Sequence, residues 1–416
     1  MREQRRQEPK IGRAACADNL AMVLMRVAML GWEFPPFMSG GLGVHCYELS
    51  RALCRMGVEI DFFMPISGKK IEPPFPGLRI IEVAKTSLRP YLSFSKSGQN
   101  ADYGKNLISA VNEYWDRCYD SVSFYSKEKP YDVLHAHDWL TSSAGVRLKS
   151  HLKVPLVQTF HSTEFDRTSW PWDYVLDIER SAAANADLLI AVSNRTKSQV
   201  MRLGADEGKI RVIYNGVDKS RFEQVKLEAR ALAELKKKKK VVLFLGRLTE
   251  QKGPVQFLHA AKRVLEKNPD VIFVVAGKGE LLPLLINMTL DLGISSSVRF
   301  LGYVPDEDQQ RIYKIADVYV MPSTSEPFGI TALEAMSSGV PVIISKTSGV
   351  AEIVKSAIKV DFWDINAMAT KILAVLKHET LARAMVSMSC REVSIYTWSK
   401  TAEETLRAYQ EAIARK

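Results

Sequence analysis

Two glutamates eight residues apart, Glu326 and Glu334, sit in the stretch SEPFGITALEAM, and two cations, Arg247 and Lys252, stand in GRLTEQKG earlier in the chain. Carboxylates suit sugar hydroxyls, whereas fixed cations stabilise the negative charge that grows on a departing phosphate. Arg binds two oxygens through its planar fork and Lys acts as a point charge, so the pair suits an anion, and a plain surface loop explains the same residues. A second group consists of His135, His137 and Asp138 in VLHAHDWL, with His161 at the end of VPLVQTFH. On a strand, His135 and His137 point to one face, as metal ligands would. No further Cys, His or carboxylate cluster completes such a site in the sequence, so no metal is expected there. Finally, Gly40, Gly41 and Gly43 precede an apolar helical pattern. Bare glycine amides at the positive end of a helix suit an anion, and a plain turn explains the same residues.

These residues need elements that carry them to one place. Val318–Met321 is apolar and stops at Pro322, residues 330–336 are good helix formers, Gly339 and Pro341 end that helix, and Val342, Ile343 and Ile344 are apolar again. That is one βαβ unit, and its loop, 322–329, leaves the carboxyl end of a strand, where parallel sheets bind ligands. The same logic gives a strand at 241–245 ending in the Arg247–Lys252 loop, with a helix from Pro254 to Lys267. It also gives a strand opening at Arg26 followed by the glycine loop and a helix from Val44 to Met56. His135, His137 and His161 lie at two further strand ends. Residues 65–130 are rich in Pro, Ser, Tyr and Lys and read as insertions, with one amphipathic run from Tyr103 to Tyr125. Tyr91, Tyr114 and Trp115 there fit either ring stacking or a helix core.

A chain of 416 residues is long enough for two or three domains. The formal charge is +10, but Lys236–Lys240 contribute five and residues 1–20 a further two. The rest is too evenly mixed to track a nucleic-acid backbone, so no nucleic-acid partner is expected. Five cysteines, scattered and odd in number, indicate reduced thiols and a cytoplasmic setting. The apolar run 20–32 is broken by Arg26 and is too short for an integral membrane segment. Residues 1–24 read as a disordered extension with Met22 and Met25 as alternative starts. The expected division is 25–225 for a first Rossmann-like domain, 226–240 for a basic linker, 241–397 for a second Rossmann-like domain and 398–416 for a helix packing back on the first.

With those residues in view, the chain resembles retaining GT-B glycosyltransferases of the glycogen and starch synthase and glycosyltransferase family 4 type. The resemblance rests on SEPFGITALEAM as a Glu-x7-Glu signature, on Gly-Arg-Leu-x3-Lys-Gly, on GWEFPP with the glycine loop, on AHDW and on HSTEFDR, and it covers most of the chain. It implies an α/β fold of two Rossmann-like domains with parallel sheets facing across a cleft. It also implies a metal-independent retaining hexosyl transfer, with no cofactor beyond the nucleotide diphosphate sugar, to an α-glucan or another glycan acceptor. Glu326 would hold donor hydroxyls, Glu334 the ribose, Arg247 and Lys252 the diphosphate, and His161 the far side of the sugar. Gly41, Gly43, Phe328, Gly329, Ile330 and Gly349 would line the donor, Tyr303 would receive the base, and His137 and Asp138 would border the acceptor cleft. Two departures stand out: Met38 and Ser39 replace the lysine that synthases often carry before the glycines, and Ser348 replaces the first glycine of Gly-Gly-x-x-Glu. Maltose-phosphate, trehalose, sucrose or lipid-linked glycan synthesis would use the same machinery. A nicotinamide oxidoreductase is disfavoured because no GxGxxG with a following acidic residue occurs. A silent glucan-binding protein would have no need of Arg247, Lys252, Glu326 and Glu334 together.

Overall fold

In the computed structural model, described for residues 25–37, 40–66, 71–85, 100–223 and 239–416, the strands form two wholly parallel sheets. The first contains β1 (Arg26–Leu30), β2 (Glu59–Ile66), β3 (Leu78–Lys85), β4 (Val133–His137), β5 (Leu156–Phe160), β6 (Leu188–Ala191) and β7 (Ile210–Val212). Their order is β3-β2-β1-β4-β5-β6-β7. The second contains β8 (Lys240–Leu245), β9 (Val271–Ala276), β10 (Val298–Gly302), β11 (Val318–Met321), β12 (Val342–Ser345) and β13 (Ile358–Val360), in the order β10-β9-β8-β11-β12-β13. Both are doubly wound, the chain reversing direction across the sheet between β1 and β4 and again between β8 and β11. At such switch points the loops part and leave a crevice for ligands.

The central strands are buried on both faces, which is why they read as unbroken apolar runs. In β1, Ala28 and Leu30 face a core shared with helices Asn100–Glu128 and Trp139–Leu152. Val27 and Met29 face the opposite core, built with helix Gly41–Arg55. The last helix, Trp398–Ala414, lays Trp398, Ala402, Leu406, Tyr409 and Ala412 into that same core of the first sheet. Its apolar positions recur every three or four residues, as an amphipathic helix requires. The chain therefore returns from the second sheet to close the first.

Two readings need correction, and the core reading of Tyr114 and Trp115 holds. Residues 65–130 are no set of insertions: they contain edge strand β3 and the 29-residue helix Asn100–Glu128. Edge strands carry a weak periodicity, and β3 buries Leu78 in the core of helix Gly41–Arg55 and Ile81, Val83 and Ala84 in that of helix Asn100–Glu128, beside β2. Tyr114 and Trp115 are core residues, with the hydroxyl of one donating to the carbonyl of Phe63 and the indole of the other to that of Leu140. The helix after the glycine loop begins at Gly41, three residues before Val44, so Gly41 and Gly43 lie in its first turn. Tyr91, Met38, Ser39, the extension 1–24 and most of the lysine-rich stretch lie outside the described residues. Among those described, Cys46, Cys54, Cys118 and Cys390 are free thiols, and no helix is long and apolar enough to cross a membrane.

Candidate active site

The loops after β8 and β11 meet at the switch point of the second sheet. Gly253 makes this possible: it takes a left-handed φ of 72°, and a Cβ there would fall 2.1 Å from the carbonyl oxygen of Pro322. The contact brings Lys252 Nζ to 2.7 Å from Glu326 Oε2, and Ser323 Oγ donates to the same carboxylate oxygen at 3.2 Å. Glu326 is only 6% exposed. A buried carboxylate must be paired or neutralised, and here it is paired. Arg247 lies on the same loop, within 3.5 Å of Gln251 Oε1. Glu280, after β9, is near enough to feel that guanidinium, yet burial still pushes its carboxyl above the ordinary range.

Gly329, at φ 107°, turns the loop into helix Ile330–Ser337. The side chain of Ile330 bridges the cores of both domains, and a Cβ on Gly41 would lie 3.7 Å from its Cδ1. Two helix N-termini, one from each domain, therefore converge at Ile330, on the loop that carries Glu326. Each N-terminus carries free amides and a partial positive charge. Phe328 is buried against the second core, its ring 6.2 Å from that of Tyr214.

Not every expected residue is placed as foreseen. The Gly349 amide, assigned to a phosphate, instead donates to the carbonyl of Glu326 at 2.9 Å. Glycine is required there because a Cβ would lie 2.1 Å from the Pro327 oxygen and 2.6 Å from Ser193 Cβ. Glu334 is 5% exposed and accepts a hydrogen bond from the Tyr313 hydroxyl at 2.9 Å. It lines a small pocket between the domains with Glu48, Asp218, Arg221 and Trp398. Tyr303 stands apart from these at the end of β10, about half exposed, with Lys278 Nζ 5.7 Å above its ring.

The first domain contributes histidines. His137, buried at the end of β4, shares a hydrogen bond between its Nδ1 and His161 Nε2 at 3.0 Å. Asp138, held at φ 57°, accepts from the His161 backbone amide at 2.7 Å and so fixes the end of β5. His135 packs its ring 4.1 Å from that of His137, with both of its nitrogens taken, by Tyr409 at 2.6 Å and Thr159 at 2.7 Å. Sequence reasoning missed His45, on the glycine-loop helix, whose ring centroid is 4.4 Å from that of His161. Helical spacing alone marked His45 as one more core position. Burial lowers the basicity of all four rings, pushing His135 and His161 down to about 3 and the other two well below their usual value.

A cross-domain latch was also missed. Glu352 of the second domain accepts the backbone amides of Asn194 at 2.9 Å and Arg195 at 2.8 Å, capping a first-domain helix. Ser193 Oγ donates to the Pro327 carbonyl at 2.6 Å, and Ser325 Oγ donates to Asp166 at 3.1 Å. The Glu326 loop is thus held from both sides.

Comparison with known proteins follows the same division. The profile described as "Glycosyl transferases group 1" matches residues 225–389, and that described as "Glycosyltransferase Family 4" matches residues 39–221. An uncharacterized glycosyltransferase of Methanocaldococcus jannaschii is 31% identical over 94% of this chain and 99% of its own. The glycogen synthase of Mycobacterium tuberculosis is 28% identical over 92% and 94%, and the D-inositol 3-phosphate glycosyltransferase of Corynebacterium diphtheriae is 27% identical over 94% and 96%. Among solved structures, the sucrose-phosphate synthase of Thermosynechococcus elongatus superposes with a TM-score of 0.78 at 21% identity, covering 94% of this chain and all of that one. The Anabaena HepE protein in complex with UDP-glucose gives 0.67 at 18%, covering 92% and 98%.

Proposed function

This chain belongs to the glycosyltransferases, with the two-domain GT-B fold, and we propose that it moves glucose from a nucleotide diphosphate sugar to an α-glucan with retention of anomeric configuration. The observation that carries the reading is the Lys252–Glu326 pair at 2.7 Å, its carboxylate on the loop that leads to the meeting of two helix N-termini at Ile330. A diphosphate entering beside Lys252 draws the ammonium from Glu326 and leaves that carboxylate for donor hydroxyls. Arg247 and Lys252 bear the charge that develops on the leaving diphosphate, so no metal is needed for that task. The acceptor hydroxyl attacks the anomeric carbon on the face from which the diphosphate departs. His161 borders the sugar, His137 and Asp138 the acceptor, Tyr303 the base, and Glu334 the ribose if Tyr313 yields part of its carboxylate. The scattered free cysteines favour the cytoplasm.

The glycogen synthase relative and the UDP-glucose complex support this choice of donor and acceptor. A small phosphorylated acceptor is the second reading, favoured by the inositol phosphate glycosyltransferase relative. One screen separates them. ADP-glucose and UDP-glucose are each offered with glycogen, maltooligosaccharides, inositol phosphate and sugar phosphates, and released nucleotide diphosphate is read. Release that depends on glycogen or maltooligosaccharides is expected; release only with phosphorylated small acceptors overturns the α-glucan assignment.

A further inference from the structure

His45, His137 and His161 reach one point from three elements: the glycine-loop helix, the end of β4 and the residue after β5. One ring nitrogen from each lies within 4.8 Å of the other two. The Nε2 atoms of His45 and His137 are fully buried and have no hydrogen-bond partner among the described residues. An unsatisfied buried nitrogen is costly, and an ion bound by the cluster would satisfy that of His45. The His45 ring shows which kind. Its Nδ1 lies 2.7 Å from Asn215 Oδ1, an oxygen that only accepts, so Nδ1 carries the proton and Nε2 presents a bare lone pair to the cluster. A histidine that donates its far nitrogen to a carbonyl oxygen is oriented as metal ligands are.

We propose that His45, His137 and His161 bind one divalent transition-metal ion of the zinc type, and that an ion held there blocks sugar transfer. Bonds of about 2.0–2.1 Å in tetrahedral geometry place donor nitrogens roughly 3.3 Å apart. The His137 and His161 nitrogens are already at 3.0 Å, sharing a proton that the ion replaces. His45 then has on the order of 1.5 Å to travel at most, with the fourth position left to water. Imidazole ligands favour zinc, copper and nickel over magnesium or calcium. Asp138, 2% exposed and bonded to the His161 amide, supplies negative charge beside the ion. This site is separate from the phosphate chemistry. The binding claim stands by itself, whereas the inhibition claim rests on the placement of His161 at the donor sugar.

The test uses the full-length, tag-free protein, stripped of metal by a chelator and dialysed. Cobalt(II) is titrated and followed by its visible absorption, then displaced with zinc. One cobalt per chain with the intense bands of four-coordinate cobalt is expected. His45→Asn and His161→Asn keep an amide where Nδ1 was and delete the Nε2 that faces the ion, so each should lose at least tenfold in affinity, roughly the least that disturbing a histidine ligand costs. His135→Asn, altering the neighbouring histidine whose two nitrogens are already taken by Tyr409 and Thr159, should bind cobalt like the wild type. Circular dichroism checks that each variant is folded. Absence of saturable one-to-one binding, or equal binding by all three variants, overturns the site. With zinc bound, release of nucleotide diphosphate should fall at least tenfold and recover on chelation. Unchanged release with the site filled overturns the inhibition claim alone. No release with any donor, alongside intact one-to-one binding, overturns the proposed transferase activity and leaves the metal site standing.

Discussion

The two walls of the cleft are built from opposite chemistry. The second-domain wall carries formal charges, Arg247, Lys252 and Glu326, held in register by a glycine contact between adjacent loops. The first-domain wall carries four imidazoles that burial keeps neutral. A charged wall recognises charge and pays for desolvation by pairing, as Lys252 and Glu326 do. A neutral wall of ring nitrogens recognises hydroxyls, or a metal, through direction. Under the proposed roles the donor sugar lies between Glu326 on one wall and His161 on the other, so cleft closure is part of recognition.

Substitutions on the charged wall should break this contrast most. Glu326→Gln is expected to cut transfer at least a thousandfold, about 4 kcal/mol of transition-state stabilisation, while nucleotide diphosphate still binds in calorimetry. Loss of nucleotide binding in that variant would move Glu326 from the sugar to the phosphates. Arg247→Ala and Lys252→Ala should each cost about 3 kcal/mol in kcat/KM at unchanged thermal stability, and near-normal steady-state rates in both would remove the diphosphate assignment.

The neutral wall predicts a pH effect instead. In the unfolded chain each histidine takes up a proton near pH 6.5, whereas in the folded protein His135 and His161 resist until about pH 3. The unfolded state thus binds more protons in that window, and stability falls as pH drops through it. The loss reaches about 1.4 kcal/mol per pH unit for each such histidine. Urea unfolding at pH 7, 6, 5 and 4 reads the slope, and a flat profile between 6.5 and 4.5 would show that the rings are not held neutral.

Glu334→Gln sharpens the comparison further, since this carboxylate belongs to the charged domain but is buried against Tyr313. A ribose contact there predicts a nucleotide affinity weaker by roughly 1.5–3 kcal/mol in calorimetry. A lower melting temperature at unchanged affinity would make it a packing residue. The smallest effect expected is from Glu352→Ala, which removes the cap supplied across the cleft and should lower unfolding free energy by about 1 kcal/mol. Unchanged stability would mean that the latch is idle in solution.

Much of the second domain was readable beforehand. The unit Val318–Ser345 falls where strand-length apolar runs, helix formers and the Gly339–Pro341 break put it. Both cations and both glutamates lie where their strand and helix ends predict. Strand β3 was not readable, because an edge strand shows its apolar residues only against a neighbour. The start of helix Gly41–Arg55 was missed because glycines read as loop until the helix packs.

What the amino-acid sequence determined by itself was local: the α/β pattern of two doubly wound sheets, and the loops that end β8 and β11 in Arg247, Lys252 and Glu326. Periodicity and turn chemistry act within a few residues, so they survive reading one residue after another. Only the tertiary structure decided that His45 meets His137 and His161, that Gly349 turns its amide to Glu326, and that Glu352 caps a helix of the other domain. Each joins residues far apart in the chain. The histidines are brought together by three elements of the first domain, Gly349 and Glu326 by two adjacent loops of the second, and the Glu352 cap by the approach of one domain to the other, and no local periodicity records any of these meetings.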